Sequence, residues 1–517
     1  MTKQADSPTT DSKCASRWDR RTFLKTVGAG TTVASFGGTA MATASTSATI
    51  DDAFDLSDAS AKHEALVVFQ RNDDVERLGM LAVDGFHQFN VLPIGFVVLT
   101  SEQIRTVATW PSVQGVYANK ELEWHNDDAR ELTKAKPVQD GTGLNWPYTG
   151  ESVHAAVLDT GTDGDHPDLV NNLQANWQFV GVPEAQDEPY TWADVKPADT
   201  DENGHGTHTG GSIAADGTQS DGQYKGMAPD ADLTVYSIGA TLLLVYIVSA
   251  WDHLIERKRD GKTDIQVVSN SYGPVTDGKD VDPHEPVNVA AWYAFQEGIV
   301  PLFSAGNSGP GEKTLSQHAK LPYTIGVAAT FDETNPKPDR RVTEFSSRGR
   351  PRDFDGPSNY DRQTALENIK DIYDYESGEE PSRPYGVYRN GVGAPGNLVM
   401  STLSPADALQ TYPSLGDPNE QDGEIWYGKI SGTSMSCPVT AGCVTLIIDA
   451  YQQNNAGTPD PIDVINTVEA TATNYHPDQY TAINIGTGFV DAIAAAKRAE
   501  TGNWATFAEA SDSIIDN

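Results

Sequence analysis

Three short stretches of this sequence carry side chains suited to nucleophilic chemistry, in the order acid, imidazole, hydroxyl. The first is Val157-Leu158-Asp159-Thr160-Gly161. An aspartate closing an apolar run could be a ligand, a helix cap or the group that orients a base, and alone it decides little. The second is Asn203-Gly204-His205-Gly206-Thr207-His208-Thr209-Gly210-Gly211. Two histidines three apart at a helix start could also bind a metal. The zinc-protease pattern, however, needs a glutamate between histidines four apart, and that is absent. The glycines suit close backbone packing around an imidazole. This favours His205 as a general base and His208 as a buried structural histidine. The third stretch is Gly432-Thr433-Ser434-Met435-Ser436-Cys437-Pro438, ahead of a helical run to about Tyr451. A serine at a helix start is ordinarily an N-cap. Here Gly432 lets backbone approach closely, and Pro438 lacks the N–H that would bond the Ser434 carbonyl. Both features suit a turn that presents a hydroxyl, and the positive end of the helix dipole favours a nucleophile there.

The elements that would hold these groups can be read around them. Between about residues 128 and 500, continuous apolar runs occur over 153–158, 233–238, 265–269, 299–303 and 324–328. Helical patterns lie between several of them, as over 242–258 and 287–297. Strands apolar on both faces, alternating with helices, predict a three-layer α/β domain with a mainly parallel central sheet. Such sheets place their chemistry at strand ends and in the loops that follow.

Residues 45–127 predict a small α+β unit ahead of that domain. It has a β-prone run over 64–69, a helical stretch over 72–80 and two β-rich pieces within 86–99. A helix capped by Thr100-Ser101 and a last strand over 113–117 follow. Residues 1–44 read as an export leader. Arg20-Arg21 is followed by Thr22-Phe23-Leu24-Lys25, a weakly apolar run rich in Gly, Ala and Thr, and the small-x-small steps Ala40-Met41-Ala42 and Ala42-Thr43-Ala44. This is the pattern of a twin-arginine signal. The run is too short and too rich in glycine to span a membrane, so no stable anchor is expected. Twin-arginine export carries folded proteins, which predicts an extracellular enzyme that folds before it leaves the cell. Residues 501–517 read as a short acidic tail in solvent.

The charge balance is extreme: 73 Asp and Glu against 36 Lys and Arg, a net charge of −37, with 38% hydrophobic residues. The acid is dispersed along the chain, which suggests an acidic surface over a normal core. Such a surface repels nucleic acid and anionic membranes. It also repels itself in dilute buffer, and molar salt removes most of that penalty by shortening the Debye length to about 3 Å. A protein adapted to high salt is expected, an ordinary acidic secreted protein being the alternative. Of the three cysteines, Cys14 lies in the leader. Cys437 and Cys443 would share one helix with Cα atoms ~9 Å apart, too far for a disulfide.

Taken together, the three motifs resemble those of the subtilase family of serine proteases, in its chain order Asp, His, Ser. Within it the sequence resembles the secreted halolysin-type enzymes of halophilic archaea. Gly226-Met227-Ala228-Pro229, Ser304-Ala305-Gly306-Asn307, Phe345-Ser346-Ser347-Arg348-Gly349, Gly393-Ala394-Pro395-Gly396 and Gly486-Thr487-Gly488-Phe489-Val490-Asp491 also match family segments. The resemblance covers roughly residues 145–495. It implies a serine endopeptidase with Asp159, His205 and Ser434 as its triad and Asn307 as an oxyanion donor. It implies that Ser271-Tyr272-Gly273 forms one edge of the substrate groove and Ala305-Gly306 the wall of the first specificity pocket. Small residues there predict broad specificity with a preference for bulky apolar side chains before the cut.

The resemblance also makes residues 45–127 an inhibitory propeptide. The expected partners are protein and peptide substrates, this propeptide and the twin-arginine export machinery, and the chain is expected to be a monomer. No cofactor is needed for catalysis. Asp168, in His166-Pro167-Asp168-Leu169, matches a calcium-ligand position of some members, with Asp216 to Asp221 as further oxygen donors; a solvated acidic loop is the alternative. Two departures from the family pattern stand out. Val439 replaces a family histidine, and the Gly-rich loop before 242–258 is shortened. The charged stretch 350–391 looks like a surface insertion. Cys437, three residues after Ser434, would make the site sensitive to thiol reagents unless it is buried. A lipase or esterase is excluded, because Gly-x-Ser-x-Gly and the order Ser, Asp, His are both absent. A non-catalytic member or an exopeptidase stays open.

Overall fold

The computed structural model describes residues 48–515 apart from 52, 82, 84, 90–91, 120–127, 181–190, 274–279, 333–337, 353–358, 375–382 and 412–425. The leader motif lies outside the described residues. The chain divides into two compact units, Met1–Glu123 and Trp124–Asn517.

In the first unit, five strands form one sheet: β1 (Thr49–Ile50), β2 (Lys62–Phe69), β3 (Phe86–Gln88), β4 (Ile94–Thr100) and β5 (Val113–Ala118). Their order is β1-β5-β2-β4-β3, antiparallel except for β1 beside β5. Helix α1 (Ser101–Val107) starts at a capping box between Thr100 and Gln103, which satisfies two orphan donors. Ala65, Val67, Leu99, Ile104, Val107 and Val116 belong to a separate small core. The expected helix over 72–80 is a 3₁₀ helix instead, and Arg71 before it gives no side-chain cap. The two-residue strand β1 has no counterpart in the sequence reading.

The second unit is built on an eight-stranded sheet. Its strands are β6 (His154–Asp159), β7 (Leu173–Phe179), β8 (Trp192–Asp194), β9 (Asp232–Ser237), β10 (Val267–Asn270), β11 (Val300–Ser304), β12 (Ile325–Phe331) and β13 (Val392–Asn397). Strand order is β13-β12-β11-β10-β6-β9-β7-β8, and every neighbouring pair is parallel except β7 with β8. Strand β6 is the pivot: the chain adds β9 on one side of it and β10 on the other. Crevices open where a doubly wound sheet reverses direction, at the carboxyl ends of the strands. Asp159 is the last residue of β6. The strands are apolar because both faces are covered; all six residues of β6 are buried. The fold class expected from sequence is thus observed for the second unit.

The covering helices include α2 (His205–Ala214), α3 (Leu244–Arg259), α4 (Pro286–Gln296), α5 (Arg362–Tyr373), α6 (Thr433–Gln452), α7 (Pro461–Thr471), α8 (Ala492–Glu500) and α9 (Phe507–Asp512). Among the described residues α6 alone is long and apolar enough to cross a membrane, yet 94% of its apolar window is buried inside the protein. It is the core helix, packed on α2, α8, β10, β12 and β13. A two-stranded antiparallel ribbon, β14 (Val399–Thr402) with β15 (Tyr427–Ile430), delivers the chain to it.

Two expectations are corrected here. Residues 501–517 are not a solvated tail throughout: α9 starts at a capping box of Thr506 and Glu509, and Ala510 and Ile514 are buried. The apolar residues at this spacing are few, so the helix is visible in sequence only through its cap. The stretch 350–391 is not merely superficial either. Arg362 and Arg389 are buried on Glu469 of α7, with Nη2 donating to its carboxylate at 2.5 and 2.7 Å. Burial pushes the Glu469 carboxyl up, but the two guanidiniums outweigh it and leave it below its usual range.

Candidate active site

The loop before α2 is tied down by one buried carboxylate. Asp201 accepts from the N–H groups of Asn203, Gly204 and Thr207 and from the hydroxyls of Thr160 and Thr207. Thr160 in turn accepts from the Gly206 N–H at 2.9 Å. Gly204 sits at φ +97°, a conformation that suits glycine. At Gly206 a Cβ would lie 2.0 Å from the Gly161 carbonyl oxygen, so only glycine lets α2 approach the end of β6 this closely. The result puts His205 Nδ1 2.6 Å from Asp159 Oδ1. The second oxygen of Asp159 accepts from the Thr209 hydroxyl at 3.2 Å.

Burial alone would push the His205 imidazole below its usual range. The Asp159 carboxylate, by charge and hydrogen bond, outweighs burial and holds it above that range. His208, one turn along, is fully buried, and its Nε2 faces the carbonyls of Val399 and Gly428 at 2.9 and 3.1 Å. Burial pushes it down to about 4, so it stays neutral and structural, as its position suggested.

Ser434 is the second residue of α6, whose first turns pack against α2 and β10. Its hydroxyl donates to the Ser271 carbonyl at 3.2 Å and not to His205. Hydrogen bonds of this kind commonly tighten only when substrate is bound. Asn307 follows β11, and its side-chain oxygen accepts from the Thr433 N–H and hydroxyl, both at 2.9 Å. That leaves the amide Nδ2 as a free donor beside the start of α6. Thr433 was not singled out from the sequence; a hydroxyl next to a candidate nucleophile was the available signal.

Ser434 and Asn307 open onto a cavity of about 340 Å³ lined by Leu242, Ser271, Tyr272, Gly273, Gly306 and Thr433, among others. Ser271, Tyr272, Gly273 and Gly306, all singled out in the sequence, are thus brought together around one cavity. Ala305 is not: it is fully buried, and its N–H bonds the Val327 carbonyl inside the sheet. Leu242, just ahead of α3 and not singled out in the sequence, lines the cavity as well. Cys437 is fully buried against Ser269 and Asn270, and burial pushes its thiol up to about 12, so the thiol is sheltered and un-ionised.

Asp168 is also buried, with one oxygen taken by the Tyr427 hydroxyl and the other by the Gln219 N–H, both at 2.6 Å. Asp216 is bound to Asn171 and to the Thr218 N–H. Among the described residues no three His, Cys, Asp or Glu side chains are arranged to hold a metal. Both Asp168 oxygens are thus engaged by hydrogen bonds within the protein.

A profile of the subtilase family matches residues 150–489, from just before β6 to just before α8. The chain belongs to the subtilase family. It is 32% identical over 364 residues to the serine protease AprX of Bacillus subtilis, covering 68% of each chain. It is 29% identical over 322 residues to the subtilisin of Bacillus sp. strain TA39, covering 61% of each. A further relative is the human membrane-bound transcription factor site-1 protease, 27% identical, of which it covers 25%. Among solved structures, sphericase is 24% identical with a TM-score of 0.48, over 68% of this chain and 96% of that one. These relatives bear out a serine-type peptidase family; they include extracellular, intracellular and membrane-bound enzymes by name.

Proposed function

We propose that this subtilase is a secreted serine endopeptidase that cleaves through an acyl-enzyme, with Asp159, His205 and Ser434 as its triad. The observation that carries the reading is the 2.6 Å hydrogen bond between Asp159 and His205 beside the helix that presents Ser434. His205 takes the Ser434 proton as the hydroxyl attacks a peptide carbonyl, then gives it to the leaving amine. Asp159 holds the imidazole with Nε2 free and stabilises the imidazolium that forms. The carbonyl oxygen becomes an oxyanion, which receives hydrogen bonds from Asn307 Nδ2 and the Ser434 N–H. Water then repeats the cycle on the acyl-enzyme and restores the hydroxyl.

The substrate backbone would add as a strand along Ser271-Tyr272-Gly273. Gly306 at the cavity wall leaves room for a bulky apolar side chain before the cut, with Leu242 as an apolar contact. The leader and the N-terminal α+β unit fit an exported enzyme made with its own inhibitor. Casein hydrolysis tests the reading. The purified protein should digest casein and shorten by roughly the 125 residues ahead of the catalytic unit. Ser434→Ala should do neither. Hydrolysis that persists in Ser434→Ala would sink the triad, and none in either would favour a binding role.

A further inference from the structure

An α-helix satisfies the carbonyl of residue i with the N–H of residue i+4. In α6 that rule fails at the residue that matters most. Pro438 stands four residues after Ser434 and has no N–H to give. The Ser434 carbonyl would be left without its helical partner in the first turn. It is not orphaned: the Ser271 hydroxyl donates to it at 2.8 Å. The exchange is reciprocal, because the Ser434 hydroxyl donates to the Ser271 carbonyl. Ser271 follows directly on β10. The link therefore pins the first turn of α6 to the end of a central strand.

We infer that Ser271 is a positioning residue for the nucleophile, its hydroxyl replacing the helix hydrogen bond that Pro438 removes. This rests on the reading of Ser434 as nucleophile. It differs from a groove role for Ser271, which needs only its backbone. A helical N–H would hold Ser434 in regular helix geometry, along the axis of α6. A side-chain donor from a neighbouring strand holds the same carbonyl from the side. It leaves the turn free to take the orientation in which the Ser434 N–H and Asn307 point at one place. The neighbouring groups suit a fixed turn: Thr433 is locked to Asn307, and the Gly306 N–H donates to the Thr433 hydroxyl at 3.1 Å.

The test is a double-mutant cycle in steady-state hydrolysis of a chromogenic peptide anilide, with active-site titration to count competent serines. Ser271→Ala keeps the groove backbone and should lower kcat about tenfold with KM nearly unchanged, the rate value of one neutral hydrogen bond. Ser271→Thr keeps the hydroxyl and should retain most of kcat. Pro438→Ala returns an N–H to the helix, so adding it to Ser271→Ala should cost no further activity or recover part of it. Melting temperatures of the parent and every variant separate misfolding from mispositioning. A rise in KM with kcat intact would make Ser271 a groove residue only and overturn the proposal. So would independent, multiplying effects of the two substitutions. An inactive wild-type protein would fail the protease reading instead.

Discussion

With His205 as the proposed general base, Asp159 and His205 would set the acid side of the activity. A base works only when unprotonated, and the Asp159 carboxylate favours the protonated imidazole. The pH profile of kcat/KM should therefore fall on the acid side with an apparent pKa above the usual histidine value near 6.5. In Asp159→Asn that limb should move to lower pH, because burial is then opposed only by the charge of Asp201, while the rate drops by about 10⁴ for want of the right tautomer. A limb that stays put in Asp159→Asn would show that another group titrates. At the same scale, Asn307→Ala should lower kcat by 10²–10³, the loss measured for such a side-chain donor in a subtilisin. These residues were legible from sequence because motif chemistry is local: glycines that allow close approach lie next to the reacting groups. Ala305 was misplaced because a strand end alternates faces, and the sequence alone does not say on which face the pocket lies. Leu242 and Thr433 were missed because their roles depend on contacts between distant segments.

Elements explain a second pH effect of opposite sense. Asp163 follows β6, and Asp407 lies in the segment after β14 whose backbone bonds Glu202 and Asn203 ahead of His205. Both carboxyls are buried, each with one oxygen unpartnered. Burial, with Asp165, Asp199 and Asp201 nearby, pushes Asp163 up to about 7 and Asp407 up to about 8. The folded state holds these protons where the unfolded chain has released them. The stability these two groups contribute then falls as pH rises from about 4 to about 8. Asp407→Asn should flatten this fall and raise the melting temperature by several degrees at pH 9. Equal pH slopes in the variant and its parent would refute the assignment. Strands β6 and β9 to β12 were readable because parallel strands are apolar runs, whereas β7, β8 and β13, broken by polar residues or by Gly and Pro, were not. The cluster was not, since it joins three segments that only the fold brings together. The same holds for the buried pair of arginines on Glu469: the charge of 350–391 suggested surface, but paired and hydrogen-bonded charges can be buried.

The whole molecule carries a net charge of −37, and this bears on stability more than any one pair of residues. Individual exposed ion pairs are worth at most about 1 kcal/mol, so the few cations cannot neutralise the surface locally. Repulsion among dispersed carboxylates grows with compaction and is relieved in the unfolded chain. At 0.1 M salt the screening length is about 10 Å, and at 1 M it is about 3 Å. The melting temperature of the Ser434→Ala chain should therefore climb steeply between ~0.1 and ~2 M NaCl. Choice of salt decides the cause. Screening depends on ionic strength, so chloride salts of sodium and potassium should act alike at equal concentration. Sulfate adds the exclusion effect that strengthens apolar burial in any protein. A rise seen in sulfate but absent in chloride would mean that the acidic surface costs little and that the enzyme is an ordinary acidic protein. A rise in both chlorides, together with casein hydrolysis by the active chain confined to the same salt range, would tie the charge of the surface to the conditions in which Asp159, His205 and Ser434 are held together.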